Sequence, residues 1–351
     1  MHEKLPSING LRALSVAMVI TGHLGRAGLF HAAYDNRYLR AGLDFVGDGS
    51  LGVSMFFILS GFLITRLLLL EEQAQGTVNL RNFYVRRLLR IVPAYYFLLL
   101  IYYLAQRQGY LHIGASSWVT ALTFTKYLNW HEDWYTAHGW SLSIEEQFYL
   151  IWPLVFRWGN KFRRYGCAAL LVSVPLLRLY NYYEPTGRLN DLTLWMNVDA
   201  LALGCLLAFY CEPLLAVVRP RVWQALALGS ALMLFGLKYS SRLTDPVPHL
   251  SAVWGLLGQR HGTLAFTALS CLLLYSVYIA HGPWFRFLNS QFLNFVGSIS
   301  YGLYLWQQLF AMRPGFWFNT FPVNIIGIFA CAIFSYYLIE RPFLRFKQQF
   351  K

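Results

Sequence analysis

Charge is scarce in this chain. Only 13% of its 351 residues are Asp, Glu, Lys or Arg, against 57% hydrophobic and 18% aromatic residues. That balance excludes a soluble domain of average make-up, in which about 25% of residues are charged. Acid is scarcer than base: 16 Asp and Glu stand against 29 Lys and Arg, a formal charge of +13. Cysteine is scarce as well. The five present (167, 205, 211, 271 and 331) all fall in or beside apolar runs, none at metal-ligand spacing, and read as small packing residues. No GxSxG elbow and no HExxH helix occurs, so serine-hydrolase and zinc chemistry lack support. Repeats, low-complexity tracts and a separate soluble domain are also missing, so residues 1–351 read as one integral domain.

What is there is a succession of apolar runs of bilayer-crossing length, with a mean hydropathy of +0.41. Ten spans are expected, at 8–24, 50–70, 88–105, 140–156, 166–182, 192–211, 222–240, 262–280, 292–311 and 323–340. The fold class is therefore all-α, a polytopic integral membrane bundle of about ten transmembrane helices. The first run does not read as a cleavable signal, because it starts with little positive charge, carries Arg and His, and is followed by no small-residue cleavage site. Lys and Arg concentrate in alternate loops, among them Arg81 to Arg90, Arg157 to Arg164 and Arg341 to Lys351. That bias places the N- and C-termini in the cytoplasm. The net positive charge then needs no nucleic acid to explain it.

Ionisable residues inside a bilayer are functional by default, because their insertion penalty must be offset. Within "RALSVAMVITGH" (12–23), Arg12 and His23 are eleven residues apart, about three helical turns and roughly 16 Å, and so share one helix face. His23, Glu145 of "GWSLSIEEQFYLIWP" and Asp199 of "NVDALALG" form an outer polar layer. The inner layer is cationic: Arg12, with Arg86, Arg87 and Arg90 of "RNFYVRRLLRIVPAYY". Clustered arginines suit a polyphosphate, since the guanidinium fork takes phosphate oxygens two at a time. By charge alone the cluster reads better as a topology signal or a contact for anionic lipid. Asp199 and Arg178, in the outer halves of adjacent spans, are expected to form a structural ion pair. "FFILSGFLI", with Ser60 and Gly61, and "SISYGLYLWQ", with Tyr301 and Tyr304, read first as packing segments.

Taken in order, Arg12–x10–His23, "FFILSGFL", "RRLLRIVPAYY", "WSLSIEEQFYLIWP", "DALALGCLLA" and "SYGLYLW" resemble the membrane-bound acyltransferase 3 family, which includes O-antigen and polysaccharide O-acetylases. The resemblance runs over nearly the whole chain. It implies transfer of an acyl group, usually acetyl, from cytoplasmic acyl-CoA to a hydroxyl of a cell-envelope or exported carbohydrate, in the bacterial inner membrane. His23 matches the family's catalytic histidine, Arg12 its paired arginine, and Glu145 the acid of the "WSL" motif. Ser60, Trp140, Ser141, Asp199 and Tyr301 are further polar site candidates. Acyl-CoA enters as donor substrate, with no bound cofactor or metal; membrane lipid and a carbohydrate or lipid-linked glycan are the other partners. Two features depart from the family: Gln307 stands where members often carry histidine, and the chain stops about ten residues after the tenth span, without the esterase-like domain some members carry.

The chemistry of the residues fits that implication. Histidine has the right basicity to take a proton from an attacking hydroxyl near neutral pH, and Glu145 could fix its tautomer. Outside Glu145, "NWHEDWYTAHGW" (129–140) suits either a sugar ring or an interfacial aromatic belt. A transporter or flippase of a lipid-linked glycan, without acyl transfer, is the alternative, although no inverted repeat or pair of broken spans supports it.

Overall fold

A computed structural model of the chain describes residues 5–28, 36–129, 132–183, 197–243, 263–278, 281–311 and 316–350. Among these, all regular structure is helical. The main helices are α1 (Ile8–Arg26), α2 (Arg37–Val46), α3 (Gly49–Gln75), α4 (Leu80–Arg107), α5 (Ala115–Leu122), α6 (Gly139–Val155), α7 (Asn160–Tyr183), α8 (Val198–Val217), α9 (Pro220–Leu243) and α10 (Thr263–Tyr278). After them come α11 (Pro283–Leu288), α12 (Gln291–Ser298), α13 (Ser300–Phe310), α14 (Val323–Ser335) and α15 (Arg341–Phe346). Each expected apolar run falls on helix where it is described, apart from Phe156, Asn197, Ile299 and Ala311; residues 192–196, 262 and 279–280 lie outside the described residues. Two runs are not continuous α-helix. The ninth breaks at Ile299 between α12 and α13, and the tenth passes through a π-helical turn, Tyr336–Glu340, before α15.

Among the described residues, four helical stretches are long and apolar enough to cross a membrane: Tyr38–Gln75, Leu80–Arg107, Val198–Val217 and Val323–Phe346. Large aliphatic side chains are exposed on these and other helices. Leu100 of α4, Ile151 of α6, Leu232 of α9 and Ile326 of α14 are each at least half exposed. So much aliphatic side chain turned outward suits hydrocarbon rather than water. Local rules place the ends. The Asn79 side chain accepts from the Asn82 N–H at 3.0 Å and starts α4, and Pro283 occupies the first turn of α11.

The chain divides into two compact units. The first comprises Met1–Gly22, Phe30–Leu69 and Asn160–Ser298. In it α7 packs on α8 and α9 on α10. α3 and α8 approach backbone to backbone: a methyl group added at Gly61 would overlap the Leu201 carbonyl, and one at Gly204 the Ile58 carbonyl. The small residues of "FFILSGFLI" therefore do act in packing, as close-approach points between apolar helices. The same unit buries an ion pair, Arg178 Nη2 to Asp199 Oδ1 at 2.7 Å, with Asp199 fully shielded. Ser60, half-buried, lies on α3 beside that crossing.

The second unit comprises His23–Leu29, Leu70–Gly159 and Ile299–Lys351. In it α13 packs on α14, and α4 contacts α6 and α13. The Tyr301 hydroxyl donates to the Ile91 carbonyl at 2.9 Å, tying α13 to α4. The Tyr84 hydroxyl likewise donates to the Leu150 carbonyl of α6 at 2.8 Å.

Candidate active site

The site is built outward from His23, which lies one turn before the end of α1 and is half-buried. Its Nδ1 lies 2.6 Å from Oε1 of Gln307, a fully buried residue of α13. A carboxamide oxygen only accepts, so this contact puts the ring proton on Nδ1 and leaves Nε2 with its lone pair. The Trp134 ring stands 5.9 Å from the imidazole, tilted by 57°.

Trp134 is held from both sides. Its Nε1–H donates to the Gln308 carbonyl at 2.9 Å, and the Gln308 side chain donates back to the Trp134 carbonyl at 2.7 Å. The segment beneath it is braced by a buried ion pair. Lys126 is fully buried, its Nζ 2.6 Å from Asp133 Oδ2 and 2.9 Å from Ser117 Oγ. Asp133 also accepts from the Thr136 N–H at 2.7 Å and the Thr136 hydroxyl at 2.6 Å. Burial, the largest single influence, pushes the Asp133 carboxyl up; hydrogen bonds from Lys126 and Thr136 together outweigh it and hold the group below its ordinary range. The brace therefore stays charged, and the loop carrying Trp134 stays anchored.

His138 follows at the start of α6. It is 4% exposed, and neither ring nitrogen has a hydrogen bond of normal geometry, although the Tyr135 and Leu305 carbonyls approach the ring. Its carbonyl accepts from the Tyr304 hydroxyl at 2.8 Å, and that hydroxyl meets Ser141 Oγ at 2.5 Å. Three α13 side chains thus organise four partners: Tyr304 holds His138 and Ser141, Gln307 holds His23, and Gln308 holds Trp134.

The other residues singled out from the sequence divide between the units. Glu145 lies in the second turn of α6 and accepts from the Tyr149 hydroxyl at 3.3 Å, whereas the His23 ring is bonded to Gln307. Trp140 is half-buried at the start of α6. Arg12 belongs to the first unit with Ser60 and Asp199, half-buried on the unbroken α1. Of the aromatic segment 129–140, Trp130 and His131 lie outside the described residues.

The three arginines at the start of α4 have different surroundings. Arg86 pairs with Glu71 at 3.1 Å and donates to the Phe350 carbonyl at 2.8 Å. Arg87 lies over the Phe83 and Tyr149 rings, at 5.6 and 5.2 Å from their centroids. Arg90 makes no hydrogen bond or ion pair among the described residues. No group of three or more His, Cys, Asp or Glu able to hold a metal occurs among them either.

A profile of the acyltransferase domain matches residues 5–340, nearly the whole chain. The chain belongs to the acyltransferase 3 family. Within that family it is 26% identical to YrhL of Bacillus subtilis, over 97% of this chain and 55% of the relative. It is 27% identical to the peptidoglycan O-acetyltransferase OatA of Listeria monocytogenes, over 97% of this chain and 56% of that protein. To the O-acetyltransferase OatA of Staphylococcus aureus it is 28% identical, over 96% and 57% respectively. This acyltransferase 3 chain spans about half the length of the curated relatives it matches. No solved structure matches it.

Sequence reasoning missed Gln307, Trp134 and His138 as members of the site. Gln307 had been noted only as a departure from the family. Its contact with His23 joins residues 284 positions apart, a pairing for which no local pattern gives a signal.

Proposed function

We propose that this chain is a membrane O-acyltransferase that moves an acetyl group from acyl-CoA to a hydroxyl of a cell-envelope carbohydrate. Family membership supports the reaction class, and the O-acetyltransferase names of the relatives support the acceptor class. The observation that carries the reading is the 2.6 Å contact between His23 and Gln307. It presents Nε2 of a half-buried imidazole as a base, which is what a poorly nucleophilic alcohol requires. As the acceptor oxygen bonds to the acyl carbon, its proton passes to Nε2 and the carbon–sulfur bond breaks, releasing CoA. Glu145, which accepts from the Tyr149 hydroxyl, is the acid of the site. Arg12, with Arg86, Arg87 and Arg90, binds the donor. Arg90, without a partner among the described residues, is the arginine best placed to take a phosphate.

In this reading Gln307 is a positioning residue. Gln307→Leu removes a single hydrogen bond of about 1 to 1.5 kcal/mol and is expected to lower kcat roughly tenfold. KM for acetyl-CoA should be unchanged, and Gln307→His, which can still meet Nδ1, should recover most of the loss. Steady-state kinetics of the purified protein with acetyl-CoA and a soluble glycan acceptor decide this. A Gln307→Leu variant with wild-type kcat would remove the orienting role.

The same reading puts the chain in the bacterial inner membrane with ten crossings and both termini in the cytoplasm. Among the surface positions, Thr77 lies in the turn between α3 and α4, and Tyr110 lies just beyond α4. In a cysteine-free background, Thr77→Cys should react with an impermeant maleimide only from the cytoplasmic side, and Tyr110→Cys only from outside. Labelling of Thr77→Cys from outside would overturn this topology.

A further inference from the structure

The short turn Lys347–Phe350 follows α15 and packs against α4. It is pinned there by Arg86, whose Nη1 donates to the Phe350 carbonyl at 2.8 Å. Lys347 is half-buried in this contact, and its side chain has no hydrogen bond or ion pair among the described residues. The two helices packed on the turn hold no carboxylate: α4 brings Arg86, Arg87 and Arg90, and α15 brings Arg341 and Arg345. Glu71 is already paired with Arg86 at 3.1 Å, and Glu146 of α6 interacts with Arg87. A half-shielded ammonium among guanidinium groups is a destabilising arrangement unless an anion offsets it.

We infer that Lys347 joins the three α4 arginines as a fourth cation of their cluster, closing it around the phosphate groups of CoA. The inference rests on the donor role given above to Arg86, Arg87 and Arg90. A ligand with a phosphomonoester and a diphosphate carries enough negative charge to neutralise such a cluster, and each charge-assisted contact is worth more than a neutral one. A lipid headgroup shares the phosphate chemistry but offers fewer charges at one place.

The cluster also titrates. Burial first, and then the charges of Arg90, Arg87 and Arg86, push the Lys347 ammonium down to about 7. Arriving phosphates reverse that push. At pH 8 the free protein holds Lys347 largely neutral, and binding of CoA should therefore draw in a proton.

The test uses the full chain in nanodiscs of neutral lipid, with CoA and pantetheine as probes and calorimetry in buffers of different ionisation heat. Lys347→Met should weaken CoA binding by roughly 10- to 100-fold, the range of one charge-assisted hydrogen bond, and leave pantetheine binding unchanged. Proton uptake at pH 8 should vanish. Lys347→Arg should keep most of the affinity but also lose the uptake, since a guanidinium is already charged; a purely structural lysine would not give that split. Wild-type CoA affinity in Lys347→Met, or uptake persisting in Lys347→Arg, would overturn the proposal while leaving the arginine site intact. A wild-type protein that binds no CoA would instead remove the donor reading beneath it. A Lys347 dependence that appears only with anionic lipid would assign the cluster to headgroups and overturn the proposal too.

Discussion

Replacing His23 by alanine is expected to lower acetyl transfer by about 10²- to 10⁴-fold, the usual share of a positioned general base, while acetyl-CoA binding stays near wild type. The asymmetry follows from where the groups stand. The imidazole meets Gln307 and Trp134, whereas three of the arginines given to the donor lie at the start of α4 and the fourth, Arg12, lies eleven residues before His23 on α1. His23 therefore acts on the reacting hydroxyl and not on the phosphates that hold CoA. Arg12→Ala should fail in the opposite way, raising the donor concentration needed for half-maximal rate, as loss of uniform binding does. Calorimetry of CoA binding beside the rate of CoA release with a glycan acceptor separates the two. A folded His23→Gln variant with nearly full activity would refute the mechanism.

Much of this architecture was legible in hydropathy. A bilayer demands apolar helices of a certain length, and each expected run, apart from single residues, lies on helix where it is described. The break at Ile299 and the π-turn at Tyr336–Glu340 were not legible, because hydropathy reports the length of a run and not the local hydrogen-bond pattern within it. The site shows the same division. His23 and the α4 arginines stand out as charge where charge is expensive. Gln307 is neutral, and only the fold brings it to His23. Trp134 sat in the segment 129–140, which read equally as an aromatic belt, and nothing in the composition there or just before it announced the buried Lys126–Asp133 brace. Lys347 was hidden among basic residues already explained by topology; its significance comes from the lack of acid on α4 and α15.

The Arg178–Asp199 pair leads to the largest expected change in stability. Asp199 is fully buried and Arg178 nearly so, at 2.7 Å. Asp199 Oδ1 also accepts from the Ala200 N–H at 3.0 Å, whereas Oδ2 is buried without a hydrogen bond. A pair so incompletely satisfied contributes little net stability against two apolar side chains, yet either charge left alone is a heavy penalty. Asp199→Ala and Arg178→Ala should each destabilise the protein by about 3 to 5 kcal/mol, and the double variant by less than either. Thermal unfolding of the four proteins in one detergent measures this, and a double variant no more stable than the singles would mean that the two are not coupled. The double variant also separates the two roles open to Asp199. If it folds and transfers acetyl at the wild-type rate per folded molecule, Asp199 serves only to hold α7 against α8. If it folds and is inactive, Asp199 has a role in the reaction beyond holding α7 against α8.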